Sequence, residues 1–220
     1  MIKKLKSKIL KHWEITAAGI LILAGVTILS GTYGPLIKDE IKYQFSNKGR
    51  NTVVVGKNQE AEKVAVEKAG LEVIQPVDES FGIVIPKISA NAKVFAEVDP
   101  NDSAVYQRVL TKGVAQAKGS AYPGEKGNVF IFAHSGADIS EALHYNAVFY
   151  LLGNLNPNDD IFLFRAGQRF HYVVKESKIV SPKDVQYLEK GDGSETVTLM
   201  TCWPAGTTFK RRIIIAERAS

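Results

Sequence analysis

From Phe81 to its C-terminus the chain is a succession of short apolar runs separated by turn residues. The predicted strands are Gly82–Ile85, Ala92–Val98, Val129–Ala133, Ile161–Phe164, Phe170–Val174, Thr196–Thr201 and Ile213–Ala216. Together with a short helix over Ala104–Leu110, the pattern indicates about eight short strands and one or two short helices. Alternating β-α-β units are absent from the pattern, which favours an all-β barrel or sandwich.

The N-terminal part of the chain has a different pattern. Ile15–Ile37 is a run without a charged side chain, long enough as a helix to cross a bilayer core of about 30 Å. A cleaved signal peptide would have a shorter apolar region and a small-x-small cleavage site, and a buried core helix would need a larger surrounding domain. We therefore predict an uncleaved transmembrane anchor over 15–37.

Charge around this run predicts its orientation. The chain carries a net charge of +5, and residues 1–14 hold five lysines and one glutamate, a net of +4. By the positive-inside rule the N-terminus lies in the cytoplasm and residues 38–220 lie outside, on a plasma membrane crossed once. The remainder carries about +1 (5 − 4), which argues against a nucleic-acid partner.

The exported part divides into two predicted segments. Residues 38–78 mix charges, glycine and asparagine, and Gln59–Ala69 reads as a short helix that Gly70 ends. We assign 38–78 to a stalk or linker and 79–220 to the folded domain.

Cys202 is the single cysteine of the chain, which excludes an intramolecular disulfide and a cysteine-rich zinc site. It ends the run Thr196–Thr201 and is followed by Trp203-Pro204, so it lies where a predicted strand opens into a loop. A small buried hydrophobe is the alternative role. An idle thiol outside the cytoplasm is exposed to oxidation, which favours a nucleophile.

A nucleophilic cysteine needs a base or a charged partner. His134 follows the buried run Val129–Ala133 and therefore also lies at a strand end. His144 lies in a polar loop segment and His171 lies within a strand, so both are weaker candidates. His12 is on the cytoplasmic side of the predicted anchor and is excluded.

A third requirement is a donor for the developing oxyanion or the substrate carbonyl. Arg211 and Arg212 enter the last predicted strand. Neighbouring residues of a strand point to opposite faces, so only one of them can face Cys202 if the two strands pair.

These features together resemble the sortase family of cysteine transpeptidases. Thr198-Leu199-Met200-Thr201-Cys202 is similar to the family signature TLxTC, and Asn128–Ser135 is similar to the strand that ends in the family's catalytic histidine. Phe149–Leu163 resembles the segment that joins the histidine loop to the next strand. The resemblance covers residues 80–220, and the N-terminal anchor agrees with it.

The resemblance implies a closed eight-stranded β-barrel with short helices. It implies that Cys202 is the nucleophile and that His134 is the general acid and base. Family members commonly have the arginine nine residues after the cysteine, which selects Arg211, with Arg212 as the alternative. Trp203 can form a wall of the substrate groove or pack on the barrel, and Thr201 is assigned with it to the substrate-binding surface.

The implied reaction is cleavage of a Leu-Pro-x-Thr-Gly-like sorting signal on a secreted protein, followed by transfer to an amine acceptor of the cell envelope. The alternatives are a cysteine endopeptidase that hydrolyses the same signal and a non-catalytic membrane-tethered binding module. Some relatives bind calcium near acidic loop residues, which correspond here to Glu125, Asp192 and Glu195. We predict no metal and no cofactor.

Overall fold

The computed structural model describes residues 19–31, 52–57, 59–136, 148–188 and 193–219. The chain divides into two units, Met1–Ile41 and Lys42–Ser220. In the first unit, residues 19–31 form helix α1. The described residues contain no helix whose length and hydropathy suffice to cross a membrane. The rest of the predicted anchor 15–37 and the basic tail 1–14 lie outside the described residues.

Eight strands of the second unit close into a barrel. They are β3 (Phe81–Ile85), β4 (Ala90–Val98), β5 (Val114–Ala117), β6 (Gly127–Phe132), β7 (Asp160–Arg165), β8 (Gln168–Val180), β9 (Glu195–Trp203) and β10 (Lys210–Arg218). Around the barrel the order is β10-β8-β7-β3-β4-β5-β6-β9. The closed eight-stranded barrel implied by the resemblance is therefore confirmed.

Most neighbouring strands of the barrel are antiparallel, whereas β4 pairs with β5 and β6 with β9 in parallel. The chain between β4 and β5 forms helix α3 (Ser103–Leu110). The side chain of Asp102 caps α3, accepting a hydrogen bond of 3.0 Å from the amide of Val105, as expected at a helix N-terminus. Short 3₁₀ turns lie at Pro86–Ile88, Tyr150–Asn154 and Val185–Leu188.

A second, smaller layer lies on the outside of the barrel. Strands β1 (Thr52–Val54) and β2 (Glu72–Ile74) pair in parallel, and helix α2 (Glu60–Lys68) connects them. Val54 is 2% exposed and packs with Val84 of β3 and Phe164 of β7 in a separate apolar cluster. This cluster covers the outer face of β3, which explains why all five residues of that strand are buried. Helix α2 confirms the helix predicted over Gln59–Ala69.

The predicted strands agree with the barrel except for β5, which was not predicted, and for the ends of several strands, of which β8 differs most. β5 was not among the predicted strands because Val114–Ala117 is only four residues long and consists of one valine, two alanines and a glutamine, of which only valine favours strands. β8 continues to Val180, beyond the predicted end at Val174.

Candidate active site

Cys202 lies at the end of β9, one residue before the strand gives way to the loop that begins at Pro204. Val197 and Leu199 point into the barrel core, so Thr198, Met200 and Cys202 alternate onto the other face. The thiol is partly exposed. The sheet thus fixes the backbone of Cys202 while its side chain remains accessible.

His134 follows β6, the parallel neighbour of β9. The register pairs Phe132 with Met200, and the Ala133 amide donates a hydrogen bond of 3.1 Å to the carbonyl of Met200. Continuing this register by two residues brings His134 level with Cys202. The predicted nucleophile and its predicted base therefore leave the barrel at the same end and on neighbouring strands.

Thr201 joins these two strand ends. Its hydroxyl donates a hydrogen bond of 3.0 Å to the carbonyl of Ala133, and the residue is 4% exposed. The bond lies immediately before both His134 and Cys202, so it fixes the spacing of the two backbones at that level. This geometry gives Thr201 a positioning role, and its contact with a substrate stays a prediction.

Arg211 lies directly opposite Cys202 on the antiparallel partner strand β10. Opposed residues of an antiparallel pair project from the same face of the sheet. Nη1 of Arg211 donates hydrogen bonds to the carbonyls of Thr208 and Lys210, at 3.1 and 3.0 Å. These bonds keep the side chain near the start of β10, beside the strand end that carries the thiol.

Arg212 is opposed to Thr201 and therefore projects from the other face of the same strand. Its guanidinium carbon lies 4.5 Å from the centre of the Trp203 ring, and Nη1 donates to the hydroxyl of Ser177 at 3.2 Å. A Cβ at Gly153 would lie 3.4 Å from Nη2, so the guanidinium also packs on the Tyr150–Asn154 turn. Burial lowers the pKa of the Arg212 side chain, although a guanidinium remains charged at neutral pH.

The contact with Arg212 also places the ring of Trp203. The indole packs against the guanidinium on the face opposite Cys202, which agrees with the second of its two predicted positions, packing on the barrel. Its assignment to the substrate-binding surface stays a prediction.

The remaining histidines lie elsewhere or outside the described residues. His171 of β8 is paired with Asp160 at 2.7 Å and stacks on Phe162 at 4.7 Å between ring centres. Its backbone carbonyl accepts a hydrogen bond from Arg218, and the neighbouring Glu217 pairs with Thr196 at the start of β9. His171 therefore lies near the opposite end of β9 from Cys202. His12 and His144 are outside the described residues.

Acidic side chains near the loops are engaged by protein groups. Glu195 accepts hydrogen bonds from the Tyr172 hydroxyl at 2.6 Å and the Gly124 amide at 3.0 Å, while Glu125 pairs with Arg165 at 3.0 Å. Among the described residues no three histidine, cysteine or acidic side chains are grouped as metal ligands would be. Asp192 lies outside the described residues.

Three neighbouring strands thus carry or lead to the three predicted site residues at one end of the barrel. β9 carries Cys202 between its neighbours β6, which leads to His134, and β10, which carries Arg211. A nucleophile, an acid–base group and a permanent hydrogen-bond donor are the set required for acyl transfer through a covalent intermediate.

Comparison with known proteins agrees with this arrangement. The sortase domain model matches residues 83–219, more than half of the chain. The chain belongs to the sortase family. Sortases are cysteine transpeptidases, and in this sortase the cysteine lies at the end of a barrel strand.

Individual relatives agree with the family assignment. Sortase D of Bacillus subtilis (strain 168) is 30% identical over 139 residues, which is 62% of this chain and 62% of that protein. The match therefore spans less than two thirds of that relative's length. The lid mutant of sortase A from Corynebacterium diphtheriae has a TM-score of 0.54 at 25% identity, covering 65% of this chain and 71% of that one. Sortase C-1 from Actinomyces oris has a TM-score of 0.55 over 84% of this chain and 98% of that one; at 21% identity it shows the shared fold alone.

One polar residue of this region, Asn128, was not among the functional residues predicted from the sequence. Asn128 is buried at the start of β6 and makes hydrogen bonds to two threonines of β9 and to the 3₁₀ turn Val185–Leu188. An asparagine next to the apolar run Val129–Ala133 was the signal, because a buried amide in a strand needs specific partners.

Proposed function

We propose that this sortase is a membrane-anchored transpeptidase that cleaves a Leu-Pro-x-Thr-Gly-like sorting signal and transfers the acyl fragment to an amine of the cell envelope. The observation that carries the proposal is the position of Cys202 between the strand that leads to His134 and the strand that carries Arg211. Family membership supports the chemistry, and the run Ile15–Ile37 supports attachment to the plasma membrane with an external barrel.

The first half-reaction forms a thioester. The sulfur of Cys202 attacks the carbonyl carbon of the scissile peptide bond, and the carbon–nitrogen bond breaks. His134 donates a proton to the departing amine, because an amide anion is too basic to leave unprotonated. Arg211 donates hydrogen bonds to the carbonyl oxygen while that oxygen carries negative charge.

The second half-reaction reverses these roles with a new amine. The incoming amine gives its proton to His134 and attacks the thioester carbon, and the thiolate of Cys202 leaves. Bond making and bond breaking balance and no atom changes its oxidation state, so the proposed cycle needs no redox partner. The products are a new amide and the free enzyme.

The test uses the full chain in detergent with a Leu-Pro-x-Thr-Gly peptide and a glycine-based amine, and mass spectrometry reads both protein and peptide. We expect a thioacyl adduct on the protein and a coupled peptide product, both absent in the Cys202→Ala variant. Cleavage without coupling would indicate an endopeptidase. An unreactive thiol in a protein shown to be folded by its thermal transition would contradict catalysis and favour the binding module.

The proposed location is tested separately in membranes. We expect the full chain to sediment with the membrane fraction after carbonate washing, and Cys202 to react with a membrane-impermeant thiol reagent added outside intact cells. Deletion of residues 1–37 should release the protein from the membrane. A protein that is removed by the wash, or whose thiol reacts only after lysis, would contradict this topology.

A further inference from the structure

An open groove lies between helix α3 and strand β4. It has a volume of about 260 Å³ and is lined by Phe95, Val105, Arg108, Val109 and Lys112. The three apolar residues are partly buried and pack on the barrel core, so they form a floor, whereas Arg108 and Lys112 are exposed. A Cβ at Gly113 would lie 3.2 Å from Cε2 of Phe95, so glycine allows the turn after α3 to lie close against β4.

The exposed side chains of this groove carry positive charge. Arg108 and Lys112 are four residues apart and therefore lie on the same side of the helical turn. Nε of Arg108 donates a hydrogen bond of 2.9 Å to the carbonyl of Ala104. Within the described part of the chain neither cation forms an ion pair with a carboxylate, so both charges are available to an anionic group.

An apolar floor beside two cations fits an apolar side chain that is flanked by carboxylates. Pockets that enclose small-molecule ligands have volumes of roughly 300–1,000 Å³, so this open groove is too small to enclose such a ligand. One side chain of a docked peptide needs less space. Carboxylates next to that side chain can accept charge-assisted hydrogen bonds from the guanidinium and the ammonium group. The groove therefore suits an acidic peptide segment that contains an aromatic or aliphatic residue.

The floor of the groove lies at nearly the same level of the barrel as the candidate nucleophile. The strand register pairs Phe95 with Ala115, and Ala115 with Phe132. It also pairs Phe132 with Met200, so one row of residues crosses β4, β5, β6 and β9. Cys202 is two residues beyond Met200. Three strand spacings of about 4.8 Å and two residues of about 3.3 Å separate Phe95 from Cys202 by roughly 16 Å along the wall.

Helix α3 lies between the groove and the strands of the candidate active site. Tyr106 of α3 contacts Phe132 at 6.2 Å between ring centres, so the helix covers the middle of this row. Crossing a helix about 10 Å wide lengthens the path to roughly 26 Å. An extended peptide advances by about 3.3 Å per residue, so about eight residues connect Cys202 with the groove.

We propose that the groove between α3 and β4 is a second binding site for the substrate protein, and that it takes an acidic segment with an apolar side chain upstream of the sorting signal. The inference rests on the proposed function, because it adds a contact to that same substrate. The upstream segment stays attached to Cys202 as the acyl group, so its contact lasts until the amine arrives. The groove touches no reacting atom and therefore changes affinity without altering the chemical step.

The test compares sorting-signal peptides that differ in an N-terminal extension. Glu-Phe-Glu is joined to Leu-Pro-x-Thr-Gly directly or through a glycine–serine spacer of four or eight residues, and Lys-Phe-Lys replaces it in the matched control peptides. With the full chain in detergent, we expect the spaced acidic extensions to lower KM by about 3- to 20-fold relative to the unextended peptide, with kcat within about 2-fold. Without a spacer the phenylalanine falls short of the groove, and the gain should be less than about 2-fold.

Three variants locate the effect on the protein. Arg108→Gln and Lys112→Gln each remove one charge of the groove, and Lys118→Gln is the matched control because Lys118 is exposed and does not line the groove. The two groove variants should lose most of the gain and keep the KM of the unextended peptide, while Lys118→Gln should keep the gain. Sodium chloride at high concentration should reduce the gain in the wild type, because the contacts are between exposed charges. Thermal transitions verify that all three variants are folded.

A second measurement does not depend on catalysis. The peptide acetyl-Glu-Phe-Glu-amide is titrated onto the isotope-labelled full chain, and the amide signals of Val109 and Gly113 are followed by NMR. We expect saturating shifts with a Kd on the order of 1 mM, as is typical of a short exposed contact. The Kd should rise by about 5-fold or more in Arg108→Gln and stay unchanged in Lys118→Gln.

Several outcomes would overturn the inference. One is the absence of shifts at Val109 and Gly113, and another is a gain that survives in both groove variants, that is independent of the spacer or that Lys-Phe-Lys provides equally. Shifts without any effect on KM would show that the groove binds a peptide but not the substrate. If the wild type forms no adduct with the unextended peptide, the proposed function fails, and the titration still decides whether the groove binds an acidic peptide.

Discussion

Two consecutive arginines of β10 have different environments. Arg211 is opposed to Cys202, and its Nη1 is bonded to main-chain carbonyls at the start of the strand. Arg212 is opposed to Thr201, and its guanidinium lies between the Trp203 ring, Gly153 and the Ser177 hydroxyl. The same side-chain type thus occurs on two faces of one strand, beside the thiol and within a packed contact.

The difference follows from the two-residue period of a strand and from what covers each face. The Arg212 face is covered by the Tyr150–Asn154 turn and the indole of Trp203. The Arg212 guanidinium therefore packs against these groups and donates a hydrogen bond to a nearby hydroxyl. The Arg211 face carries the partly exposed thiol, and on this face the Arg211 guanidinium is predicted to donate hydrogen bonds to a substrate oxygen. Register, and not residue type, distinguishes the two roles.

The strongest test makes the same substitution at both positions. We expect Arg211→Met to lower kcat/KM for thioacylation by about 100- to 1,000-fold, because it removes a donor to the developing oxyanion. Arg212→Met should lower it by less than about 5-fold. Adduct formation followed by mass spectrometry gives both values.

Equal losses in the two methionine variants would contradict the distinction between the two faces. Arg211→Lys sharpens the result, since lysine keeps the charge but lacks the planar fork. Its activity should therefore lie between that of the wild type and that of Arg211→Met.

The second prediction concerns the contribution of Arg212 to the free energy of unfolding. Arg212→Ala removes the contacts with Trp203 and Ser177 and should lower the free energy of unfolding by about 1–3 kcal/mol in urea titrations. Arg212→Met should cost less than about 1 kcal/mol, because its chain fills the space beside the indole and the partly buried charge is removed. Arg211→Ala is the control and should lie within about 0.5 kcal/mol of the wild type, as expected for a partly exposed surface side chain. A larger effect at Arg211 than at Arg212 would reverse the comparison.

The smallest expected effect is at Thr201, which shares the Arg212 face but lies next to the thiol. Thr201→Val removes the bond to the Ala133 carbonyl and should destabilise the barrel by about 1–2 kcal/mol, with a loss of kcat of less than about 10-fold. Thr201→Ser keeps the hydroxyl and should restore both quantities. Failure of serine to restore kcat would mean that the bond to Ala133 does not position the strand ends.

Much of this arrangement could be predicted from the sequence, because strand ends are local features. The apolar runs that end at Cys202 and His134 marked both residues, and the rule of alternation showed that only one arginine could share a face with the thiol. The structure shows that β9 pairs with β10, and the register of this pair identifies Arg211 as the arginine on the face of Cys202.

The parts that sequence reasoning missed depend on contacts between distant segments. The sequence shows Asn128 only as a polar residue beside an apolar run. Its hydrogen-bond partners lie on β9 and on the turn at Tyr187, which only the fold brings next to it. The stacking of Trp203 on Arg212 likewise depends on the turn that contains Gly153. β5 was not predicted because Val114 is the only one of its four residues whose type favours strands.

The parallel pairing of β6 with β9 also determines when Cys202 and His134 can first come close together in a newly made chain. Ala133 and Thr201 are 68 positions apart, and β9 and β10 follow the other strands of the barrel along the chain. Contacts of such long separation form late in folding, after the intervening strands are in place. Cys202 therefore lies beside the strand that leads to His134 only after the intervening strands have been made and the barrel has closed, and until then the thiol is separated from its predicted base.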